Sequence, residues 1–154
     1  FRSLKLSTFE EDLNINFLSM VKSLQKVINN LKKSGNASVV LFSTVAVKVG
    51  MPFHTSVSAS KGAIEGFARS LAAEYAPLLR VNVIAPSLTD TPMAQRFLNN
   101  DLKKEKVGDK HPLKRHGNAN DIANSVVHLL SDNSSWITGQ TFGVDGGMSS
   151  INLS

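Results

Sequence analysis

The sequence predicts an α/β protein with a doubly wound parallel sheet, and three observations indicate it. Helical and strand patterns alternate along the chain as helix, strand, helix, strand, helix, strand, which is typical of parallel strands joined by right-handed crossovers. Strands 37–43 and 80–85 are short and rich in valine, leucine and isoleucine, as buried parallel strands are. Neither has a device that would protect an exposed sheet edge. We therefore expect an incomplete sheet whose N-terminal strands precede Phe1.

The first half of the chain contains two predicted helices around one strand. Apolar residues recur at helical spacing over 9–33, and Ser7 with Glu10 forms a capping-box pattern before them. Gly35 is the expected end of this helix. The strand 37–43 follows, and a second helix is predicted over 57–75.

The second half contains a strand, a polar stretch, a helix and a last strand. The strand 80–85 is closed by Pro86, and residues 92–117 are basic and predicted to be irregular. A helix is expected over 120–130 and a strand over 139–144. The sequence after that strand, Asp145 to Gly147, predicts a turn.

Composition excludes several kinds of site and partner. The 154 residues include no cysteine, which excludes disulfides and thiolate metal sites and is compatible with a cytoplasmic location. The four histidines lack ligand spacing, so no metal site is predicted. The net charge of +5 is concentrated in a lysine-rich stretch without nucleic-acid motifs, which we interpret as a solvated loop. No apolar run approaches the ~20 residues that span a bilayer, so neither nucleic acid nor membrane is expected as a partner.

The segment Val57–Ala63 resembles the active-site helix of the short-chain dehydrogenase/reductase family. That family has a tyrosine four residues before a lysine, one helical turn apart on one face. Here Lys61 is present, but Val57 stands at the tyrosine position. The family's serine thirteen residues before the tyrosine corresponds to Thr44, and its helical asparagine corresponds to Asn16. Because these spacings agree, Val57 is a replacement and not an error of register.

The resemblance continues downstream. Pro86 and Ser87 correspond to a Pro-Gly pair beside the nicotinamide, with serine in place of a glycine that permits unusual backbone angles and close ligand approach. Thr89 and Thr91 correspond to residues that contact the cofactor carboxamide, and Thr91 is also a candidate helix N-cap. Residues 136–147 resemble the family's last strand and turn. The lid segment, residues 92–111, occupies the position of the family's substrate lid.

The resemblance implies a Rossmann-like domain over residues 1–154 and assigns roles to its side chains. Lys61 would bind the cofactor ribose and tune an acid, Thr44 would orient a substrate oxygen, and Asn16 would support a relay water. We expect Lys61 to face a cleft with Thr44 and Asn16 beside it. The resemblance further implies NAD or NADP as cofactor, a small carbonyl or alcohol as substrate, and a homo-oligomer.

Two departures from the family leave two interpretations open. Valine has no proton to transfer, and losing a general acid costs about 10²–10⁴ in rate. The family's glycine-rich pyrophosphate turn is also absent from this sequence, so the chain alone is expected to bind neither NAD nor NADP. The chain is therefore interpreted either as an oxidoreductase of impaired activity or as a non-catalytic protein that keeps the fold. His54, before the second helix, is a weak candidate for a substitute acid, and Tyr75 is assigned to the core.

Overall fold

A three-stranded parallel sheet lies at the centre of the computed structural model, which describes residues 1–152. The strand order is β1–β2–β5, and the strands are β1 (Ala37–Phe42), β2 (Leu79–Pro86) and β5 (Thr141–Val144). The predicted parallel arrangement is confirmed, because Ala37 pairs with Leu79 and the register runs to Phe42 opposite Ile84. On the other side of β2, Val83 pairs with Thr141. The carboxyl ends of β1 and β2 therefore meet at one edge of the sheet.

Helices connect these strands and flank the sheet. The main ones are α1 (Leu6–Leu13), α2 (Ser19–Ser34), α4 (Thr55–Tyr75) and α7 (Ala119–Leu130). Shorter helices are α3 (Val45–Val49), α5 (Gln95–Leu98) and α6 (Asp101–Asp109). Gly35 ends α2 in the left-handed conformation, as predicted, with φ of 73°.

The start of the first helix differs from the prediction. The helix begins at Leu6, and its N-cap is Lys5, so Ser7 and Glu10 lie inside it and form no capping box. The Thr8 N–H donates to the Lys5 carbonyl at 3.1 Å, so the first helical turn already closes at Lys5. Before it, the Leu4 N–H donates to the Phe1 carbonyl at 3.0 Å, and the rings of Phe1 and Phe9 meet edge to face. The capping-box pattern involves only Ser7 and Glu10, so it could not reveal a contact made by Phe1.

The predicted 9–33 helix is interrupted by a π-helical turn. Residues Asn14–Leu18 form this turn between α1 and α2, without breaking the course of the helix. Such turns insert an extra residue into the ladder of hydrogen bonds and often lie at functional sites. The helical periodicity of the sequence does not reveal it, and it places Asn16 at its centre.

The lid segment is helical, which corrects the prediction of irregular structure over 92–117. A short 3₁₀ turn, Pro92–Ala94, leads into α5 and then α6. The Asn100 side chain accepts a hydrogen bond from the Lys103 backbone at 2.9 Å and so caps α6. Two short parallel strands, β3 (Thr89–Asp90) and β4 (Gly117–Asn118), join the ends of this region. The segment lacks an apolar stripe, so periodicity could not predict its helices.

The core lies between the sheet and α4. Ile64, Ala68 and Ala72 are buried against Leu79 and Val81, and the apolar face of α2 packs on the same cluster. The predicted packing face of α4 is confirmed, since its aromatic and leucine side chains border this cluster: Phe67, Leu71 and Tyr75. In the described residues, no helix is long and apolar enough to cross a membrane.

Buried polar side chains hold β2 to the C-terminal region. The Arg80 guanidinium donates to the Leu129 carbonyl at 3.1 Å and to the Ser134 carbonyl at 2.9 Å. Asn82, fully buried, donates to the Ile137 carbonyl at 2.9 Å and accepts from the Gln140 backbone at 3.1 Å. These bonds fix α7 and β5 beside β2.

Candidate active site

Lys61 reaches the carboxyl end of β1 from α4. Its Nζ donates a hydrogen bond to the Phe42 carbonyl at 3.1 Å, and Phe42 is the last residue of β1. Thr44 follows two residues later, so the lysine and the threonine are brought to one edge of the sheet. An ammonium has three donors, and two remain for a ligand such as the hydroxyls of a ribose. Burial of the side chain lowers the pKa of Lys61 from its usual value, since desolvation disfavours the charge.

Asn16 joins the same neighbourhood through the residue before Lys61. Its Nδ2 donates to the Ser60 hydroxyl at 3.3 Å, and that hydroxyl donates to the Val57 carbonyl at 3.0 Å. Ser60 is buried and was not identified from the sequence. The π-helical turn aims Asn16 at α4, so the asparagine is tied to the backbone of the very turn that holds Val57 and Lys61.

Val57 lies one helical turn before Lys61 and is partly buried. Its side chain is a hydrocarbon and contributes neither a donor nor an acceptor. The side chain at this position lies one helical turn from the lysine, but it has no proton to exchange. His54, the weak candidate for a substitute acid, lies directly before α4, and its Nδ1 is 2.7 Å from the Pro52 carbonyl.

Thr44 and Ser43 face different surroundings at the end of β1. Ser43 is buried, and its hydroxyl donates to the Glu65 carboxylate on α4. The Thr44 hydroxyl accepts from the Ala46 backbone at 3.3 Å, and so caps α3 while keeping its own proton to donate. Of the two hydroxyls, Thr44 is the one available to a ligand.

A cavity of about 1140 Å³ opens beside the ends of β1 and β2. Six of the residues singled out from the sequence line it, namely Thr44, His54, Pro86, Ser87, Thr89 and Thr91. Asn16, Val57 and Lys61 are not among its lining residues in the described part of the chain. The expectation that Lys61 faces the cleft directly is thus met only in part: the lysine is held behind the Phe42 carbonyl, next to the cavity wall.

Ser87 is accommodated without backbone strain. Among residues 1–152, the only non-glycine residues with positive φ are Phe53 and Lys114. Ser87 is not among them, so the expectation that the backbone angles of this turn resist serine is wrong here. That the serine side chain hinders close approach of a ligand stays a prediction. What the serine adds is a hydroxyl on the cavity wall.

That hydroxyl forms a pair with His111, which sequence reasoning left as an ordinary histidine. The Ser87 Oγ lies 2.8 Å from Nε2 of His111, and Nδ1 of the ring lies 2.8 Å from the Val107 carbonyl. Since a carbonyl can only accept, Nδ1 carries the proton, and the Ser87 hydroxyl then donates to Nε2. His111 is 3% exposed, so this pair connects the lid segment to the end of β2.

Thr91 is the N-cap of the turn that begins the lid segment, as predicted, but its backbone carbonyl forms the capping bond and its side chain does not. The Ala94 N–H donates to the Thr91 carbonyl at 2.9 Å, whereas the Thr91 hydroxyl donates back to the Thr89 carbonyl at 3.4 Å. The predicted turn at Asp145 is also present. The Asp145 carboxylate accepts from the backbone of Gly147 at 2.9 Å and of Ser149 at 3.1 Å.

The sequence is similar to those of known reductases and dehydrogenases. A family model described as enoyl-(acyl carrier protein) reductase matches residues 1–149. Glucose 1-dehydrogenase of Gluconobacter oxydans is 33% identical over 147 residues, which are 94% of this chain and 55% of that protein. The chain thus spans about half the length of the curated relatives it matches.

Solved structures share the fold. The ligand-free aldohexose dehydrogenase of Thermoplasma acidophilum superposes with a TM-score of 0.92 and 28% identity, over 100% of this chain and 64% of that one. The gluconate 5-dehydrogenase of Burkholderia cenocepacia, solved with NADP and tartrate, gives a TM-score of 0.90 at 20% identity over 98% of this chain and 60% of that one.

Proposed function

The chain belongs to the short-chain dehydrogenase/reductase family, and from that premise we propose that the protein transfers a hydride between a nicotinamide cofactor and a carbonyl/alcohol pair. The observation that carries the proposal is the juxtaposition at the end of β1. Lys61 bonds the Phe42 carbonyl at 3.1 Å, Asn16 is bonded to the neighbouring Ser60 at 3.3 Å, and Thr44 opens onto the cavity.

The residues present suit a nicotinamide nucleotide at this edge. Lys61 has donors left for ribose hydroxyls, and Thr89 and Thr91 place hydroxyls on the cavity wall beside Pro86. When bound, NAD or NADP would supply or accept the hydride. The part of this chain would be to hold the ribose at Lys61 and to orient the substrate oxygen at the Thr44 hydroxyl.

This site lacks a proton donor at the tyrosine position of the family. A carbonyl that receives a hydride must also receive a proton, and Val57 has none to give. We therefore propose low activity, about 10²–10⁴ below that of a site with the missing acid. The lysine beside it would normally assist such an acid by its positive charge.

Two substitutions at one position test the proposal in the full-length protein. Val57→Tyr restores a hydroxyl beside Lys61, and Val57→Phe adds the same ring without it. The expected result is a rise of about 10²–10⁴ in kcat for the tyrosine variant only, measured as NAD(P)H absorbance over a panel of carbonyls and alcohols. Lys61→Ala in the Val57→Tyr background should abolish the gain.

A non-catalytic protein of the same fold is the second candidate, and Val57 is the observation that favours it. No turnover in Val57→Tyr, together with no binding of NADH or NADPH by calorimetry, would support this candidate and refute hydride transfer. Cofactor binding without turnover would restrict the protein to a nucleotide-binding role.

Two further proposals concern the whole protein. We propose a homo-oligomer, for which the apolar surface near the last strand is the support: Trp136 is 99% exposed a few residues before β5. Sedimentation of the wild type and of Trp136→Ala tests it. A cytoplasmic location remains a proposal that rests on the cysteine-free composition.

A further inference from the structure

The cavity beside β1 and β2 has a basic wall on its lid side. Four cationic side chains line it, one on α5 and three on or next to α6: Arg96, Lys103, Lys106 and Lys110. None of the described lining residues is an aspartate or a glutamate. The rest of the wall is largely apolar and includes Phe42, Met93, Phe97 and Ile122.

The charges of α6 are sorted by face. Lys103, Lys106 and Lys110 follow one another at intervals of three and four residues, so they lie on one side of the helix, and Val107 lies among them on the cavity wall. The acidic residues of the helix recur at intervals of four on another side: Asp101, Glu105 and Asp109. The face that would be apolar in an ordinary amphipathic helix is cationic here.

These lysines are not neutralised within the described part of the chain. Its ion pairs involve Lys114, Arg115 and His116, all beyond α6. Lys103 donates to the Arg96 carbonyl at 3.2 Å, which ties α6 to α5, and Arg96 stacks on Phe97. Over seven residues of helix the three ammonium groups extend about 10 Å. Like charges gathered along one wall produce a positive potential that attracts anions, and salt screens this potential because the three side chains are exposed to water.

We propose that the substrate of this site is an anionic amphiphile: a carbonyl or alcohol on an apolar chain that ends in a carboxylate or phosphate. The inference rests on the proposed function, since it names the substrate class of the same cavity. The apolar body would lie against Phe97 and Ile122, and the anion would lie on the α6 lysines, chiefly Lys106 and Lys110. A neutral polyol would gain nothing from either wall.

The phosphates of a dinucleotide have the same charge, so the shared chemistry is an anion at the α6 lysines. The proposed function already assigns Lys61, Thr89 and Thr91 to the nucleotide, so we assign the α6 lysines to the substrate. The test must separate the two sources of anion, and it does so by titrating the substrate-like probe and the nucleotide independently.

The experiment is calorimetric titration of the full-length protein with octanoate, octan-1-ol and NADPH. Lys106→Glu and Lys110→Glu reverse charges on the cavity face of α6. Lys104→Glu makes the same change in net charge on the same helix, at a residue that is not part of the wall. The wild type should bind octanoate about tenfold more tightly than octan-1-ol, and added salt should weaken only octanoate.

Each cavity-face variant should weaken octanoate about tenfold and leave octan-1-ol and NADPH unchanged, whereas Lys104→Glu should change octanoate less than twofold. Equal losses in all three variants, or equal affinities for octanoate and the alcohol, would overturn the proposal. So would a loss confined to NADPH, which would assign the lysines to the cofactor. Circular dichroism and the neutral variants Lys106→Gln and Lys110→Gln guard against misfolding.

The binding experiment and the turnover experiment can fail separately. Charge-selective binding with no turnover in Val57→Tyr would refute the proposed reaction and support an anionic ligand. Turnover in Val57→Tyr without a preference for octanoate would support the proposed reaction and refute the anionic substrate class.

Discussion

The core, residues 37–86, and the lid segment, residues 92–111, border the same cavity but are stabilised differently. In the core, Leu79, Val81 and Val83 are at most 1% exposed and pack on α4. Their stability comes from apolar surface removed from water, which requires no particular partner atom. The lid segment buries only a few side chains, Ala94, Leu98 and His111, and its cavity-lining lysines are exposed to water.

The lid segment depends on single hydrogen bonds. Asn100 caps α6, and His111 links α6 to Ser87 at the end of β2. Just beyond it, Arg115 and Asp121 form a two-bond ion pair at the start of α7. Each such bond contributes about 1 kcal/mol, and we expect its loss to leave the core folded. From this comparison we expect that substitutions in the lid segment can alter the cavity wall without destabilising the core that supports the site.

The largest effect should come from the core. Leu79→Ala removes a side chain that is 1% exposed and leaves a cavity between β2 and α4. We expect a loss of about 2–5 kcal/mol in the free energy of unfolding, measured by urea denaturation. Leu102→Ala, at a lid residue that is 71% exposed, is the control and should cost less than about 0.5 kcal/mol. Similar losses in both variants would contradict the comparison.

A smaller effect is expected where the lid meets the sheet. His111→Ala removes the bonds of its ring to the Val107 carbonyl and the Ser87 hydroxyl. The carbonyl keeps a bond from the Lys110 backbone at 3.2 Å and the hydroxyl keeps its contact with the Met148 sulfur at 3.4 Å, so we expect the loss of two ordinary hydrogen bonds, about 1–3 kcal/mol together. Faster amide hydrogen exchange should be confined to α6 and its junction with β2. His128→Ala, on the exposed side of α7, is the control. Faster exchange throughout β1 and β2 would show that lid and core are one cooperative unit.

The cap of α7 should contribute less again. Asn118 accepts from the Asp121 backbone at 3.0 Å, and Asp121 accepts from the Asn118 backbone at 2.8 Å, which completes a capping box. Asn118→Ala should lower stability by about 1 kcal/mol, whereas Asn118→Asp keeps an acceptor and should cost less. Thermal unfolding of the two variants measures the difference, and equal losses would exclude a capping role.

The smallest effect is a dependence on acid. Hydrogen bonding to Arg115, then to the Asn118 backbone, lowers the pKa of Asp121 from 3.8 to about 2. Because the folded-state pKa lies below the unfolded one, the stabilisation is full above about pH 4 and is lost as pH falls through 2. Asp121→Asn should flatten the change of Tm over that range, while Glu11→Gln should not. An unchanged slope in Asp121→Asn would contradict this.

Much of the fold could be predicted because its signals are local. The alternation of strands and helices gave the parallel sheet, and the apolar face of α4 gave its packing against β2. The lid helices were missed because α6 is polar or charged on nearly every face and periodicity has nothing to detect. Their signals were polar instead: Asn100 three residues before Lys103, and lysines at helical spacing from Lys103 to Lys110.

The site was predictable only as far as spacing reaches. The family resemblance indicated Asn16, Thr44, Val57 and Lys61, and the structure places them around the end of β1 or on the helix turn facing it. The resemblance could not show that Lys61 bonds the Phe42 carbonyl, or that Ser60 links Asn16 to Val57. Those contacts depend on how α2 and α4 lie against each other, which no run of neighbouring residues encodes.

What the sequence by itself determined is the main strands and helices of the sheet, the family resemblance and the presence of valine at position 57. Only the tertiary structure decided that Ser87 pairs with His111, that ordinary backbone angles accommodate that serine, and that the α6 lysines face the cavity. The reason is physical. Periodicity and spacing report the burial and register of a segment, whereas a hydrogen bond or a charged wall forms between segments that the fold alone brings together.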